Sequence, residues 1–431
     1  MENRAKVRMA GNGELKGKVN SRRENTMKLC AVLAIVVGVL VVAPESYAVE
    51  PSGDVPAQIK ALQKERVEVL QSLVDVHLHQ YMAGVIYFLA VVGAETDLVN
   101  AQLDAADKSE ERVALLTAAL TRERQVLRIV EQRFQAATAT QADVDWARSI
   151  CLYTEVRLAI MENKGLDRIK GLRMARAEAL SELVDILAAQ FRQGTSDCEP
   201  LVWAEAALVN AHTDTTDSTQ ERIALLTKDL ERQAAHLKMM MGAKVSLPLG
   251  DVPFLDTVSK ADLYRLQALV LATRMKLLRE RSRVEDVATQ LKTAQKEWVG
   301  MIGKILDVYR TQHEAARIGI ERVLDAQTEL LNAKLDVTDG HKERLTLLTE
   351  LVKVATDRVA AVEARYKAGI ATQAVLLQAH SLLLDAKIRL LRERIAPKAN
   401  SPSPSPHQSS VLPQGWLRKG RCRRVRCSSV G

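Results

Sequence analysis

One segment occurs three times along this chain, and that repetition limits the possible folds more than any other feature of the sequence. LVNAQLDAADKSEERVALLT begins at Leu98, LVNAHTDTTDSTQERIALLT at Leu208 and LLNAKLDVTDGHKERLTLLT at Leu330. The first two copies share 12 of 20 residues, and the last two share 11. Repetition of this kind encodes one supersecondary unit several times, and neighbouring copies bury each other's apolar faces. The sequence therefore predicts three tandem repeats.

The repeat extends well beyond these segments. LVDVHLHQYMAG at Leu73, LVDILAAQFRQG at Leu183 and ILDVYRTQHEAA at Ile305 align at the same offsets. In the second copy one join is longer than its counterparts and contains GAKVSLPLGDVPF. The predicted helical repeats are residues 57–165, 166–281 and 284–395.

Apolar residues within each repeat recur at the spacing of a helical seam. After the shared ERxxLL motif they stand three and four residues apart, as in Val113, Leu116 and Leu120. This spacing is the a/d pattern of a coiled coil. Only 3% of the residues are aromatic and 26% are charged, which suits thin helical seams better than a rounded core. We predict an all-α fold of long antiparallel helical hairpins, or a coiled-coil bundle, built from three tandem four-helix repeats.

Two kinds of turn signal separate the predicted helices. Asp107, Asp217 and Asp339 each precede a helix, and an acid follows four residues later. We expect these aspartates to be helix caps, because a cap carboxylate accepts backbone N–H bonds and first-turn acids suit the helix dipole. Other turns follow an aromatic residue and contain glycine. The predicted hairpin-turn residues are Tyr81, Gly84, Phe134, Phe191, Gly194, Tyr366, Gly369 and Thr372.

The junction between the first two repeats leaves two structures open. Helix-forming residues continue from Gln141 toward Phe191, with Gly165 and Gly171 inside the run. Glycine is tolerated within helices and also favoured at their ends. Either one continuous helix or a break at these glycines is consistent with the sequence.

The two ends of the chain differ in composition from the repeats. Residues 27–48 contain one lysine, a short apolar run and the small-x-small sequence SYA, which predicts a signal peptide cleaved after Ala48. An uncleaved signal anchor is the alternative, although a membrane-spanning helix needs about 20 apolar residues. Residues 1–26 are interpreted as an upstream extension, and residues 396–431 as a disordered Pro/Ser-rich and basic tail. We therefore expect an exported protein, in the periplasm or associated with the outer membrane.

The sequence does not predict an enzyme. It contains no nucleophile elbow, phosphate loop or dinucleotide fingerprint. His77 and His79 lie on different sides of a helix, and the other histidines do not recur at metal-ligand spacings. The repeated acid pairs, such as Asp104 with Asp107, are interpreted as turn residues rather than as carboxylates for acid–base chemistry or calcium. We predict no catalytic, cofactor-binding or metal-binding residue, no cofactor and no nucleic-acid partner.

The last hairpin carries a more specific pattern. RYKAGIATQAVLLQAHSLLLDAKIRLLRER, from Arg365 to Arg394, places an aromatic-x-x-Gly-x-x-Thr turn between two runs of helix formers. Together with the signal peptide and the internal repeats, this pattern resembles the TolC-type outer-membrane efflux proteins. In that family the motif marks a tight turn between two long helices, at the periplasmic tip of a trimeric tunnel. The resemblance assigns to the turn Tyr366, Gly369 and Thr372, and to the returning helix Leu377, Ala379 and Ala386.

The resemblance is sharpest over residues 320–395, and the chain departs from the family elsewhere. Val375 stands where the family has an acid. The connections after the first acid of each pair are a few residues long, where the family inserts membrane-spanning strands. The apolar run MAGVIYFLAVV (Met82–Val92) is continuous rather than alternating, which favours a buried helix. The chain is therefore interpreted as a three-repeat variant that lacks those strands.

Two functions follow as hypotheses. The resemblance implies an outer-membrane efflux-type protein that contributes periplasmic α-helical hairpins to an export or efflux conduit. It also implies a homo-oligomer, trimeric as in the family, and a periplasmic adaptor protein as partner. The alternative is a periplasmic coiled-coil structural or scaffold protein that has lost the membrane strands and transport. Independently of function, we expect Gly369→Val to damage the last hairpin, because a β-branched residue disfavours a left-handed backbone.

Overall fold

The chain folds into helices joined by short turns. The computed structural model describes residues 54–86, 88–193, 198–243, 253–283 and 285–396 of 431. These residues form twelve α-helices, and no β-strand occurs among them. The predicted all-α fold of repeated helical units is confirmed.

Each repeat consists of four helices, and its second helix is short. Repeat 1 contains α1 (Val55–Met82), α2 (Phe88–Ala105), α3 (Ser109–Gln135) and α4 (Gln141–Met161). Repeat 2 contains α5 (Leu166–Arg192), α6 (Cys198–Asp214), α7 (Thr219–Ala243) and α8 (Pro253–Arg281). Repeat 3 contains α9 (Ala288–Glu314), α10 (Ile320–Val337), α11 (His341–Lys367) and α12 (Gln373–Ile395).

The first two repeats are separated by a break in the helix. The backbone of Asn163 is left-handed, with φ of 51°, and Gly165 is the N-cap of α5. Gly171 lies inside α5, where the helix continues through it. Of the two structures that the sequence left open, the chain therefore adopts the broken one.

The helices close into a ring. Each helix packs against its neighbours in sequence, and α12 returns to pack against α1. At this seam Arg66 Nη1 lies 2.9 Å from Asp385 Oδ1, and Leu70 packs in one cluster with Ala374. At the end of α12, Arg392 Nη1 donates to Asp104 Oδ1 of α2 at 2.9 Å. One chain therefore closes the ring without a second copy.

Apolar burial along the helices stabilises the ring. The short helices α2, α6 and α10 have buried residues on all sides; in α6 every residue from Leu201 to Ala206 is buried. The predicted seam of α3 is also buried, with Leu116 1% and Leu120 5% exposed. Full burial of one such side chain contributes about 1.5–3 kcal/mol.

Ion pairs join the second and third helices of each repeat. The carboxylate comes from the buried short helix and the guanidinium from the longer helix that follows. The pairs are Glu95 with Arg122 at 2.8 Å, Glu205 with Arg232 at 2.7 Å, and Asp325 with Arg358 at 2.9 Å. Because a buried charge without a partner is costly, each pair fixes which two helices meet.

The assignment of Asp107, Asp217 and Asp339 as helix caps is wrong. The N-caps of α3 and α11 are Lys108 and Gly340, and neither accepts a side-chain cap hydrogen bond. In α7, which begins at Thr219, the hydroxyl of Ser218 accepts the N–H of Glu221 at 3.3 Å. Each aspartate lies one residue before the cap position.

The arginine of the ERxxLL motif holds these turns instead. Arg112 donates to the carbonyl of Ala106 at 3.1 Å, and Arg222 donates to that of Thr216 at 3.0 Å. Arg344 makes the equivalent bond to Thr338. Since the guanidinium already fixes the turn, the aspartates are available for other contacts, and Asp107 pairs with Lys60 of α1. The predicted first-turn acids Glu111, Glu221 and Glu343 are in place.

Several sequence predictions fall outside the described residues. These are the upstream extension, the signal peptide, the tail beyond Ala396 and Gly194.

Candidate functional site: the apolar turn end

The turns collect at two ends of the bundle. Because each short turn reverses the chain, the odd-numbered helices run in one direction and the even-numbered helices return. Arg133, in the last turn of α3, accordingly donates to the carbonyls of Tyr81 and Met82 in the last turn of α1, both at 3.1 Å. We call the end formed by the odd-to-even turns the apolar turn end, and the opposite end the charged turn end.

Four described turns at the apolar turn end share one backbone geometry. After α11, Gly369 N–H donates to Tyr366 O at 2.9 Å and Ile370 N–H donates to Arg365 O at 2.8 Å. The φ angle of Gly369 is +68°, and that of Gly84 after α1 is +69°. This is the Schellman pattern, in which a left-handed residue satisfies the last helical carbonyls. The assignment of both glycines to tight turns agrees with this geometry.

Two alanines occupy the same position in equivalent turns. Ala137 after α3 has φ of 54°, and Ala316 after α9 has φ of 53°. Their N–H groups donate to Phe134 O at 2.9 Å and to His313 O at 2.8 Å, as in the glycine turns. The left-handed conformation is therefore a property of the turn, and glycine supplies it in only some copies.

The aromatic residues before these turns have different environments. Tyr81 is buried, with its ring centroid 5.1 Å from that of Phe88 and the Arg133 guanidinium 4.4 Å above it. Burial raises the pKa of Tyr81 to about 12, so its hydroxyl stays neutral. Phe134, by contrast, is 43% exposed. Phe191 and Tyr366 are half-buried.

A capping box begins α4 but not α12. The Thr140 hydroxyl accepts the N–H of Asp143 at 3.2 Å, and the Asp143 carboxylate accepts the N–H of Thr140 at 2.9 Å. Thr372 is the N-cap at the equivalent position, with no side-chain cap bond. Val375 cannot complete the box there, because it has no acceptor.

Large apolar side chains are exposed at this end. The exposed fractions are 50% for Met82, 56% for Val85, 43% for Phe134, 48% for Met241 and 65% for Ile370. The prediction that Met82–Val92 is a buried helix is therefore wrong in its first half. The chain turns after Met82, and buried helix resumes only at Phe88.

The two ends also differ in charge. In the described turns of the apolar turn end, Arg317 is the only charged residue. The described turns of the charged turn end carry Asp107, Lys108, Glu162, Lys164, Asp217, Arg283, Glu285, Asp286 and Asp339. Scattered apolar residues are normal on a protein surface, but an end that combines exposed apolar side chains with few charges has the composition of an interface.

The sequence did not reveal this asymmetry, because it depends on which turns share an end. It also missed the histidine pairs of repeat 2, in which His212 Nδ1 lies 2.9 Å from Asp229 and His236 Nδ1 lies 2.8 Å from Glu205. Across the described parts of the chain, no group of three or more His, Cys, Asp and Glu side chains is arranged to hold a metal ion.

Neither a family model, a curated protein nor a solved structure matches this chain. Within the described residues, no helix is both long and apolar enough to cross a lipid bilayer.

Proposed function

We propose that this protein is an exported α-helical hairpin component of an export or efflux conduit in the cell envelope, of the outer-membrane efflux type. One observation carries the proposal: among the described residues, the turns at one end of a closed helical ring carry a single charged residue, and five of the nine exposed large apolar side chains lie at that end. In this proposal the apolar turn end is the docking surface. The fold supplies a rigid support, and the turns supply the contact.

The exposed side chains give this docking a physical basis. Phe134 and Ile370 leave 43% and 65% of their surfaces in water. Covering apolar surface stabilises a complex by about 25 cal/mol per Å². Because the described turns of this end carry only one charged residue, a partner would dehydrate few ions on contact with them. The fitting partner is the set of helical hairpin tips of a periplasmic adaptor protein.

Ring closure within one chain limits how oligomers would form. The α12–α1 seam already joins the repeats, so a homo-oligomer, trimeric or other, would assemble through surfaces other than this seam. The same closure favours a second candidate function. A ring that needs no partner to bury its core is suited to a periplasmic structural or scaffold protein that does not take part in transport.

Membrane fractionation and light scattering of the mature chain test the proposal. A conduit component should fractionate with membranes and be larger than a monomer. The double variant Phe134→Asp/Ile370→Asp should abolish both properties, because charges on the apolar turn end oppose its burial.

A matched control lies at the opposite end of the bundle. Leu166 is 81% exposed there, so Leu166→Asp should leave fractionation and mass unchanged. A soluble monomer that the double variant does not alter would overturn the conduit proposal and favour the scaffold.

A further inference from the structure

An apolar groove opens between α7, α8 and α9, away from both turn ends. Its volume is about 430 Å³, and its lining includes Leu237, Val270, Leu271 and Met301. Gly300 and Lys304, on successive turns of α9, complete one wall. The volume lies within the range of about 300–1,000 Å³ that is typical of small-molecule sites.

Gly300 has no packing role in the described structure. It lies in the interior of α9, where glycine lowers helix stability relative to alanine. A Cβ built on Gly300 would meet nothing within 4 Å. No neighbour therefore requires its small size, and a larger side chain at this position would enter the groove.

The internal repeats show what this position carries elsewhere. At the offsets that align the repeats, Gly300 corresponds to Glu178 in repeat 2 and to Glu68 in repeat 1. Lys304 corresponds to Glu182 and Ser72. Of the three repeat junctions, this one therefore has no acid and one cation at these two positions.

The charges around the groove favour an anionic ligand. Glu297 also lines the groove, but its carboxylate lies 3.9 Å from Arg274 Nη1. Lys304 is exposed, and its Nζ lies 5.7 Å from the Tyr264 ring centroid. Within the described residues, Lys304 forms no ion pair. Lys304 is the one cation in the groove lining.

We propose that this groove binds one long-chain fatty acid, with its alkyl chain along the apolar lining and its carboxylate at Lys304. A volume of about 430 Å³ holds about fourteen groups of the size of a water molecule, at about 30 Å³ each. A single saturated chain such as palmitate would fill this open groove, with the end of the molecule extending beyond it. Lys304 is the only cation of the lining, which matches a single anionic head.

Displacement of the fluorescent probe dansylundecanoate by palmitate tests the site on the purified full chain. The parent protein should bind one probe molecule, and palmitate should displace it. Gly300→Leu should weaken binding at least about tenfold, because its side chain occupies the space of the ligand. Circular dichroism should show retained helicity, because leucine is a better helix former than glycine.

Two further variants distinguish the contribution of the ligand's carboxylate from that of its alkyl chain. Lys304→Glu restores the residue found in repeat 2 and should weaken palmitate binding about fivefold or more, while hexadecanol binding stays the same. Gly303→Ala, on the same helix but outside the lining, should bind like the parent. Absence of probe binding to the parent, or equal palmitate affinity for parent and Gly300→Leu, would overturn the site. Equal palmitate affinity for parent and Lys304→Glu would overturn the role of the carboxylate.

Discussion

At the residue scale, the left-handed turn positions carry the clearest stability prediction. Ala137 and Ala316 hold φ angles of 54° and 53°, which in the equivalent turns belong to glycine. A left-handed conformation destabilises an L-residue in the folded state by about 1–2 kcal/mol. The greater conformational freedom of glycine in the unfolded chain lowers the free energy of unfolding by only about 0.4–1 kcal/mol. Ala137→Gly and Ala316→Gly should therefore each raise the free energy of unfolding by about 0.5–1 kcal/mol in urea titrations.

The converse substitutions provide the control. Gly369→Ala should lower the free energy of unfolding by a similar amount, and Gly369→Val by more, since φ is +68° and a β-branched side chain adds strain. Loss of stability in Ala137→Gly would contradict the turn geometry.

The glycine turns were predictable because glycine is itself a turn signal. In the alanine turns the left-handed residue was not predictable, because alanine is the strongest helix former; the turn after α3 was predicted only through Phe134.

A second residue-scale prediction concerns Glu123 in the seam of α3. Burial raises the pKa of this carboxyl to about 8, while the Thr154 hydroxyl donates to Oε1 at 2.9 Å. The folded state therefore holds a proton that the unfolded state releases near pH 4.5. Stability should fall as the pH rises from about 4.5 to about 8, by at most about 1.4 kcal/mol per pH unit.

Glu123→Gln should remove this loss. Repeat 2 carries Gln233 at the equivalent position, fully buried, so the seam accommodates the amide. Thermal unfolding should be followed from about pH 4.5 to about pH 8.5, a range that covers both pKa values of Glu123. The difference in stability between the variant and the parent should increase with pH in favour of the variant. Parallel profiles for the two proteins would show that Glu123 does not titrate in this way.

At the element scale, the two N-caps of equivalent helices differ in strength. Thr140 completes a capping box with Asp143, while Thr372 accepts no side-chain cap bond. Thr140→Ala should therefore lower the free energy of unfolding by about 1 kcal/mol. Thr372→Ala is the matched control and should change it by no more than about 0.5 kcal/mol. Equal losses in denaturant titrations would contradict the assignment.

Helix positions were more predictable than helix ends. The seam of α3 follows from the spacing of Leu116 and Leu120, since burial of one face imposes a helical period. The aspartate caps were wrong because the capping pattern alone does not locate the first helical residue. The carbonyls of that turn are instead bonded by Arg112, whose contact depends on tertiary position and leaves no local signal.

At the scale of the whole molecule, three repeats were predictable and their closure was not. A tandem array can remain open or close, and the α12–α1 seam depends on contacts such as Arg66 with Asp385, far apart in sequence. The apolar turn end had a partial signal in uncharged turn sequences, for example AGVI after Met82. These turns could be recognised as one surface only from the structure, which shows that alternate turns lie at the same end of the bundle.

Closure makes the order of the repeats interchangeable. Both ends of the described helical chain lie near Asp104: Gln63 Nε2 of α1 donates to its carbonyl at 2.7 Å, and Arg392 of α12 donates to its carboxylate at 2.9 Å. A circular permutant that begins at Leu166, joins Ile395 to Val55 through a short Gly/Ser linker and ends at Met161 keeps every helix intact. New termini in an exposed turn and a flexible link across neighbouring ends are well tolerated. The permutant should therefore match the parent in helical content and unfold in one cooperative transition, as followed by circular dichroism during a urea titration.

A second permutant, opened inside α4 between Ile150 and Cys151, provides the control. Cys151 is buried, so new charged termini there would enter the core, and this permutant should unfold at lower urea concentration or fail to fold. If the permutant opened at Leu166 were also unfolded, the α12–α1 seam would contribute less than the packing between sequential helices, and the molecule would be an open array. Equal stability of the parent and the Leu166 permutant would instead mean that all three repeat junctions stabilise the ring to a similar degree.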